Sequence, residues 1–272
     1  MAATTDPAHG HAKAHPYHLV NPSPWPLLST ISASILVLGL LMVLHDGPFR
    51  FWVLGAGVLA VVGCMFGWWR EVLRESSHGD HTDAVARGLR IGMALFIVSE
   101  VFFFVAFFWA YLWAALMPNE AISHTWPPPD IVTVPAFEIP FFNTLVLLLS
   151  GATLTWAHHA ILDGDQKTGF KALLLTVGLG FLFLGFQIYE YFHTEFALWD
   201  GVYGSTFYMA TGFHGFHVFV GATFLTVCTV RAYQMALKAN KHVGLEAAAW
   251  YWHFVDVVWL FLFVLVYVWG SA

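Results

Sequence analysis

The chain has 272 residues, of which 58% are hydrophobic, 18% aromatic and only 10% charged. A water-soluble domain is about 25% charged, so too few charges are present to cover a water-facing surface, and the chain reads as an integral membrane protein. The net charge of −6 is spread thinly and gives no nucleic-acid signal. Cys64 and Cys228 stand far apart in apolar runs, without the CxxC spacing that zinc or a dinuclear copper centre requires.

Residues 1–26 form a polar, proline-rich tail that lacks the continuous apolar core of a signal peptide. His9, His11, His15 and His18 have mixed spacing on a flexible backbone, which suits a solvated tail at the membrane surface better than a metal site. Pro22, Pro24 and Pro26 keep the chain extended up to the first helix. Charge-free apolar runs at 27–44 and 51–69 flank an HDGP turn, and a polar inner-side connection is expected over 70–90. Within it, the REVLRE segment at 70–75 spaces Arg70 and Arg74 four apart. That pair suits either ordinary anchoring at the positive side or a clamp on lipid phosphate.

The third run, 91–117, contains one ionisable acid or base, Glu100. Helical spacing puts Phe96, Ile97, Phe103, Phe104 and Phe107 on its face. Residues 118–140 hold Pro127, Pro128, Pro129 and Pro135 and cannot be helical throughout. Further runs follow at 141–161, 170–192, 205–230 and 247–269. Roughly 20 apolar residues cross a bilayer, so seven spans are predicted in an all-α membrane protein. The 70–90 connection divides them into a two-helix hairpin, 27–69, and a five-helix bundle, 91–272.

Seven spans place Lys13, Arg70, Arg74, Arg87, Arg90, Lys167, Lys171, Arg231, Lys238 and Lys241 on one side, and Arg50 alone on the other. Positive residues favour the cytoplasmic side, so the N-terminus is expected inside and the C-terminus outside. Trp68, Trp69, Trp109, Trp113, Trp126, Trp250, Trp252 and Trp269 mostly fall where runs enter or leave the membrane, as in an aromatic belt.

Glu100 falls near the hydrocarbon midplane, where an ionisable side chain is by default a functional candidate. His214 and His217, three apart in the sixth run, and His253 and Asp256, three apart in the seventh, join it at similar depth. Glu190 lies near the outer end of the fifth run. His158 and His159 are adjacent and point about 100° apart, so they cannot share a target. Three readings compete. His214, His217 and His253 could ligate haem or a metal, although two histidines one turn apart cannot supply opposite axial ligands to one haem. The set could form an ion pathway in a free-standing transporter, although the polar groups cluster at one level instead of stepping across the membrane. The favoured reading is that Glu100, His214, His217, His253 and Asp256 are buried polar groups that satisfy one another and lock a bundle serving a partner.

Several motifs together resemble one family. They are HPYHLVNPSPWP at 15–26, WREVLRE at 69–75, SEVFFF at 99–104, TWAHH at 155–159, DGVYGSTF at 200–207, TGFHGFH at 211–217 and WYWHFVDVVW at 250–259. They resemble subunit III of the cytochrome c oxidases, in one register from the tail to the last helix. The resemblance implies a non-redox accessory subunit of a proton-pumping haem-copper oxidase, which carries electrons from cytochrome c to oxygen. Haem a, haem a3 and copper are then expected in partner subunits and no cofactor in this chain. Subunit I is the expected main contact, with subunit II also in the complex. The implied fold is a hairpin of helices I–II splayed from a bundle of helices III–VII around a V-shaped cleft filled with phospholipid.

By the same resemblance, Glu100 is the family's carbodiimide-reactive buried carboxylate. Trp69, His81, Phe96 and Arg231 fall at lipid contacts, which strengthens the lipid reading of Arg70 and Arg74. Support of proton uptake by subunit I is implied too. The first two spans favour the cytochrome c type over the quinol type. The unmatched tail before His15 favours a bacterial plasma membrane over the mitochondrial inner membrane.

Overall fold

Lipid offers the backbone no hydrogen bonds, so each apolar run must satisfy its own amides and carbonyls, and a helix does this within one segment. The computed structural model describes residues 22–237 and 242–271, and every regular element among them is helical. The helices are α1 (Trp25–Leu44), α2 (Arg50–Ser77), α3 (Asp83–Leu116), α4 (Ile139–Leu162), α5 (Gln166–His193), α6 (Gly201–Tyr233) and α7 (Val243–Leu262). A π-helical stretch, Phe263–Trp269, continues α7. All seven are long and apolar enough to cross a bilayer, so this is a multi-pass membrane protein. The tail histidines His9, His11, His15 and His18, together with Lys13, Lys238 and Lys241, lie outside the described residues.

The chain divides into two compact units, Met1–Leu89 and Arg90–Ala272. In the first, α1 and α2 are joined through Asp46 and Phe49, both with positive φ. Helices in lipid gain little from the hydrophobic effect and depend on close van der Waals approach at small residues. Two glycines provide it here. A Cβ at Gly39 would stand 2.5 Å from Leu54 Cα, and one at Gly57 2.5 Å from Leu36 Cα. Trp25 Nε1 donates to Glu71, and the Ser29 hydroxyl lies 3.1 Å from Cys64 Sγ. Gly57→Leu is therefore expected to force the two helices apart at a cost of at least about 1–3 kcal/mol. A lowered melting midpoint of the detergent-purified protein would register it, whereas an unchanged midpoint would mean the crossing is not tight.

The polar connection expected over 70–90 is mostly helix. α2 runs on to Ser77 and α3 begins at Asp83, so five residues, 78–82, make the turn. Hydropathy reports immersion in lipid and not helicity, and alternating Arg and Glu four apart support a helix that has left the membrane. Gly79, at φ +83, makes the turn. The Thr82 hydroxyl accepts from Val85 N at 3.4 Å and Asp83 favours the positive end of α3.

In the second unit, α4 to α7 pack around Trp252. This side chain was expected in the interfacial belt, yet it is 0% exposed. Its ring fills the space left by two glycines: a Cβ at Gly180 would lie 2.6 Å from the indole, and one at Gly221 2.8 Å. Its Nε1 donates to Ser150 Oγ at 2.9 Å, as Trp259 Nε1 does to Thr144 Oγ1 at 2.8 Å. Position in sequence marks the end of a run; only packing marks the inward face. α5 is capped by Asp165, whose carboxylate accepts from the Thr168 hydroxyl and amide and is thereby held below its usual pKa. α3 joins the bundle through rings. Phe103 meets Phe213 at 5.1 Å and Phe104 meets Phe254 at 6.0 Å, while Tyr111 stands edge-on to Trp126 at 5.3 Å.

Candidate functional site

The aromatic contacts between α3 and α6 bring Glu100 to His217, with Oε2 2.8 Å from Nε2. The other ring nitrogen of His217, Nδ1, lies 2.6 Å from the carbonyl of Phe213 one turn earlier. A carbonyl only accepts, so Nδ1 carries a hydrogen and donates it. In a neutral imidazole Nε2 is then an acceptor, and Glu100 must donate to it as the acid. The alternative is an imidazolium donating to a carboxylate. Either way the pair holds one proton between two atoms and has no net charge. Phe103 and Phe104 cover the imidazole at 5.7 and 4.8 Å, and Tyr251 stacks at 6.3 Å.

The five polar residues do not form one network. Glu100 and His217 are one pair. His253 and Asp256 are a second, with Nδ1 3.4 Å from Oδ2 within α7. His214 makes no hydrogen bond among the described residues; it is fully buried, with ring centroids 5.1 Å from Trp259 and 5.7 Å, nearly perpendicular, from Phe183. His214, His217 and Asp256 are buried, whereas two of the five are not. The Glu100 side chain keeps 21% of its exposure, because α3 is held off the bundle by large rings. His253 keeps 46%, because it lies with Val257 on the outward face of α7, while Trp252, Val255 and Trp259 turn inward.

Of the residues expected at lipid contacts, Trp69, Arg70 and Arg74 are exposed on the last turns of α2 and His81 is half-buried in the following turn. Phe96 is exposed on α3 and Arg231 half-buried near the end of α6, both in the second unit. Among the described residues no group of three or more His, Cys, Asp or Glu is placed to hold a metal ion.

Two polar clusters escaped the sequence reading. Arg90 pairs with Glu246 through both ends of its guanidinium, at 2.6 and 2.9 Å, and His242 reaches the same carboxylate at 3.3 Å. Arg90 stays 42% exposed, so this pair is closer in strength to a surface bridge than to a buried one. At the other end of the bundle, Tyr267 donates to Glu190 at 2.7 Å and Gln187 donates to it at 3.1 Å, all three buried. The signal available was Gln187 one turn before an acid in an apolar run. Its third member lies on a different helix.

These features define a polytopic helical membrane protein with a Glu–His pair between two of its spans. Residues 15–271 match the family model for cytochrome c oxidase subunit III. Proteins named cytochrome c oxidase subunit 3 are similar over nearly their whole length. That of Oncorhynchus masou is 52% identical over 260 residues, 95% of this chain and 99% of the relative. That of Phoca vitulina is 50% identical over 260 residues, with the same coverage, 95% and 99%. That of Prototheca wickerhamii is 51% identical over 261 residues, 96% of this chain and all of the relative. The chain belongs to the cytochrome c oxidase subunit III family, whose members are accessory subunits of that oxidoreductase.

Proposed function

We propose that this chain is the non-redox accessory subunit of a proton-pumping cytochrome c oxidase and supplies a protonable pair, Glu100 and His217, at its face toward the catalytic partner. The observation that carries this reading is the 2.8 Å contact between Glu100 and His217, with the His217 tautomer set by the Phe213 carbonyl. The residual exposure of Glu100 leaves it reachable from outside the chain. Subunit I is the main partner and subunit II a further one. Haem a, haem a3 and copper belong to those chains, and cytochrome c is the substrate of the whole complex. His214, His253 and Asp256 support the bundle around the pair.

Phospholipid is the remaining ligand class. The cations Arg70 and Arg74, one turn apart at the end of α2, suit phosphate, and Trp69 and His81 lie beside them in the sequence. Phe96 and Arg231 offer lipid contacts in the second unit. The chain sits in a bacterial plasma membrane or, as the alternative, a mitochondrial inner membrane, and the concentration of Lys and Arg on the N-terminal side supports an orientation with that side inside.

Glu100→Gln tests the role of the pair. The amide keeps a hydrogen bond to His217 but cannot release a proton. The variant is expected to assemble with full haem content and to lose oxygen-consumption activity faster than the parent during sustained turnover. Loss of haem-bearing partners on purification would make Glu100 a structural residue first, and unchanged sustained turnover would remove the pair from the function.

A further inference from the structure

Glu190, near the end of α5, is a buried acid whose partners among the described residues are a tyrosine and an amide, with no cation paired to it. It meets the π-helical continuation of α7, and π-helical turns are rare and concentrate at functional sites. That stretch is held from a second side, where the Tyr111 hydroxyl of α3 donates to the Val266 carbonyl at 3.4 Å.

The hydrogen-bond count around Glu190 does not close. Tyr267 donates its one hydroxyl hydrogen to Oε1 at 2.7 Å. Gln187 has two amide hydrogens, and its Nε2 lies 3.1 Å from the same Oε1 and 3.4 Å from the Tyr267 oxygen. Every side-chain donor of the trio is then used. Two acceptors remain without a partner among the described residues, Glu190 Oε2 and Gln187 Oε1. Glu190, Gln187 and Tyr267 are only 2%, 3% and 1% exposed, so leaving both oxygens unpaired is costly. A single hydrogen closes the count. A proton on Oε2 turns Glu190 into a donor, and the Gln187 amide, one turn earlier on α5 and already against the same carboxyl group, offers the acceptor.

We infer that Glu190 is a second proton-holding site of this chain, a neutral carboxylic acid whose Oε2–H donates to Gln187 while Oε1 accepts from Tyr267. One proton thereby fastens the π-helical end of α7 to α5. The site is separate from the Glu100–His217 pair, which joins α3 to α6, so the chain carries two protons within its spans, one at each site.

The test is infrared difference spectroscopy on the full-length protein, purified in mild detergent with the partners it retains. Spectra are recorded in a Glu100→Gln background, which removes any band from that acid. Adding Glu190→Gln is expected to delete one carboxylic C=O band and no carboxylate band. Tyr267→Phe, which removes only the hydroxyl, is expected to move the same band to higher frequency, because Oε1 loses a donor. Glu190→Gln puts an N–H where the acid had an O–H, so its melting midpoint should stay near that of the background, while Glu190→Leu should lower it. Loss of a carboxylate band in place of a carboxylic one would mean an ionised Glu190 held by water, and it overturns the inference. So does a band that Tyr267→Phe leaves unmoved, or a Glu190→Gln midpoint as low as that of Glu190→Leu.

Discussion

Trp252→Ala is expected to be the most damaging single truncation in the bundle, at about 3–5 kcal/mol. The indole is fully enclosed, and Gly180 and Gly221 are shaped to it from α5 and α6. Removing it leaves a void that neither glycine can fill, since both lack side chains and both lie in helices whose positions other contacts fix. The Ser150 hydroxyl loses a donor but keeps its own bond to the Leu147 carbonyl at 2.6 Å, so the loss comes from packing more than from polar groups. Trp252→Phe separates the two: it retains most of the ring and should cost nearer about 1 kcal/mol for the missing hydrogen bond. Cys228, buried within the same unit, provides the readout. A thiol-reactive dye labels it only as the bundle opens, and the labelling midpoint should fall steeply for Ala and slightly for Phe. Equal midpoints for the two variants would show that Trp252 is not the packing centre.

Removing His217 should have the second-largest effect. His217→Leu leaves Glu100 facing phenylalanine rings with no proton acceptor, at a cost of about 1–3 kcal/mol. The low end is expected because Glu100 keeps some exposure. A double-mutant cycle with Glu100→Gln isolates the pair, and a coupling energy above about 0.5 kcal/mol marks groups that truly interact. Infrared spectroscopy gives an independent check. If the proton rests on the acid, the parent shows a carboxyl band that disappears in Glu100→Gln and shifts in His217→Leu. Strict additivity in the cycle, with a band indifferent to His217, would mean the two side chains do not share a proton.

Much of the fold was legible because lipid imposes simple rules. Each charge-free run became a helix, and Glu100 stood out as the lone acid of its run. What hydropathy could not supply was rotation about the helix axes. It did not say that His217 would meet Glu100 while His214, three residues earlier, would turn into a cage of rings. The i, i+3 spacing put His253 and Asp256 on one side of α7, but only the close approach at Gly151 on α4 shows that Asp256 points in and His253 out. Trp252 was placed in the interfacial belt by its position in the chain, when the two glycines that receive it lie on other helices. The helical turns at 70–77 fall inside the 70–90 connection because their charges mark departure from the membrane, which a helix also makes. Glu190 and Glu246 went unassigned for a related reason, since Tyr267 and Arg90 are distant in sequence and only tertiary packing brings them together.

The central claim is that this chain exists as an accessory part of a haem-bearing oxidase. Purification through this chain in mild detergent, followed by absorption spectroscopy of the eluted complex, tests it most directly. The expected result is co-elution with a larger haem-bearing partner in a fixed ratio; a colourless chain eluting alone would contradict it.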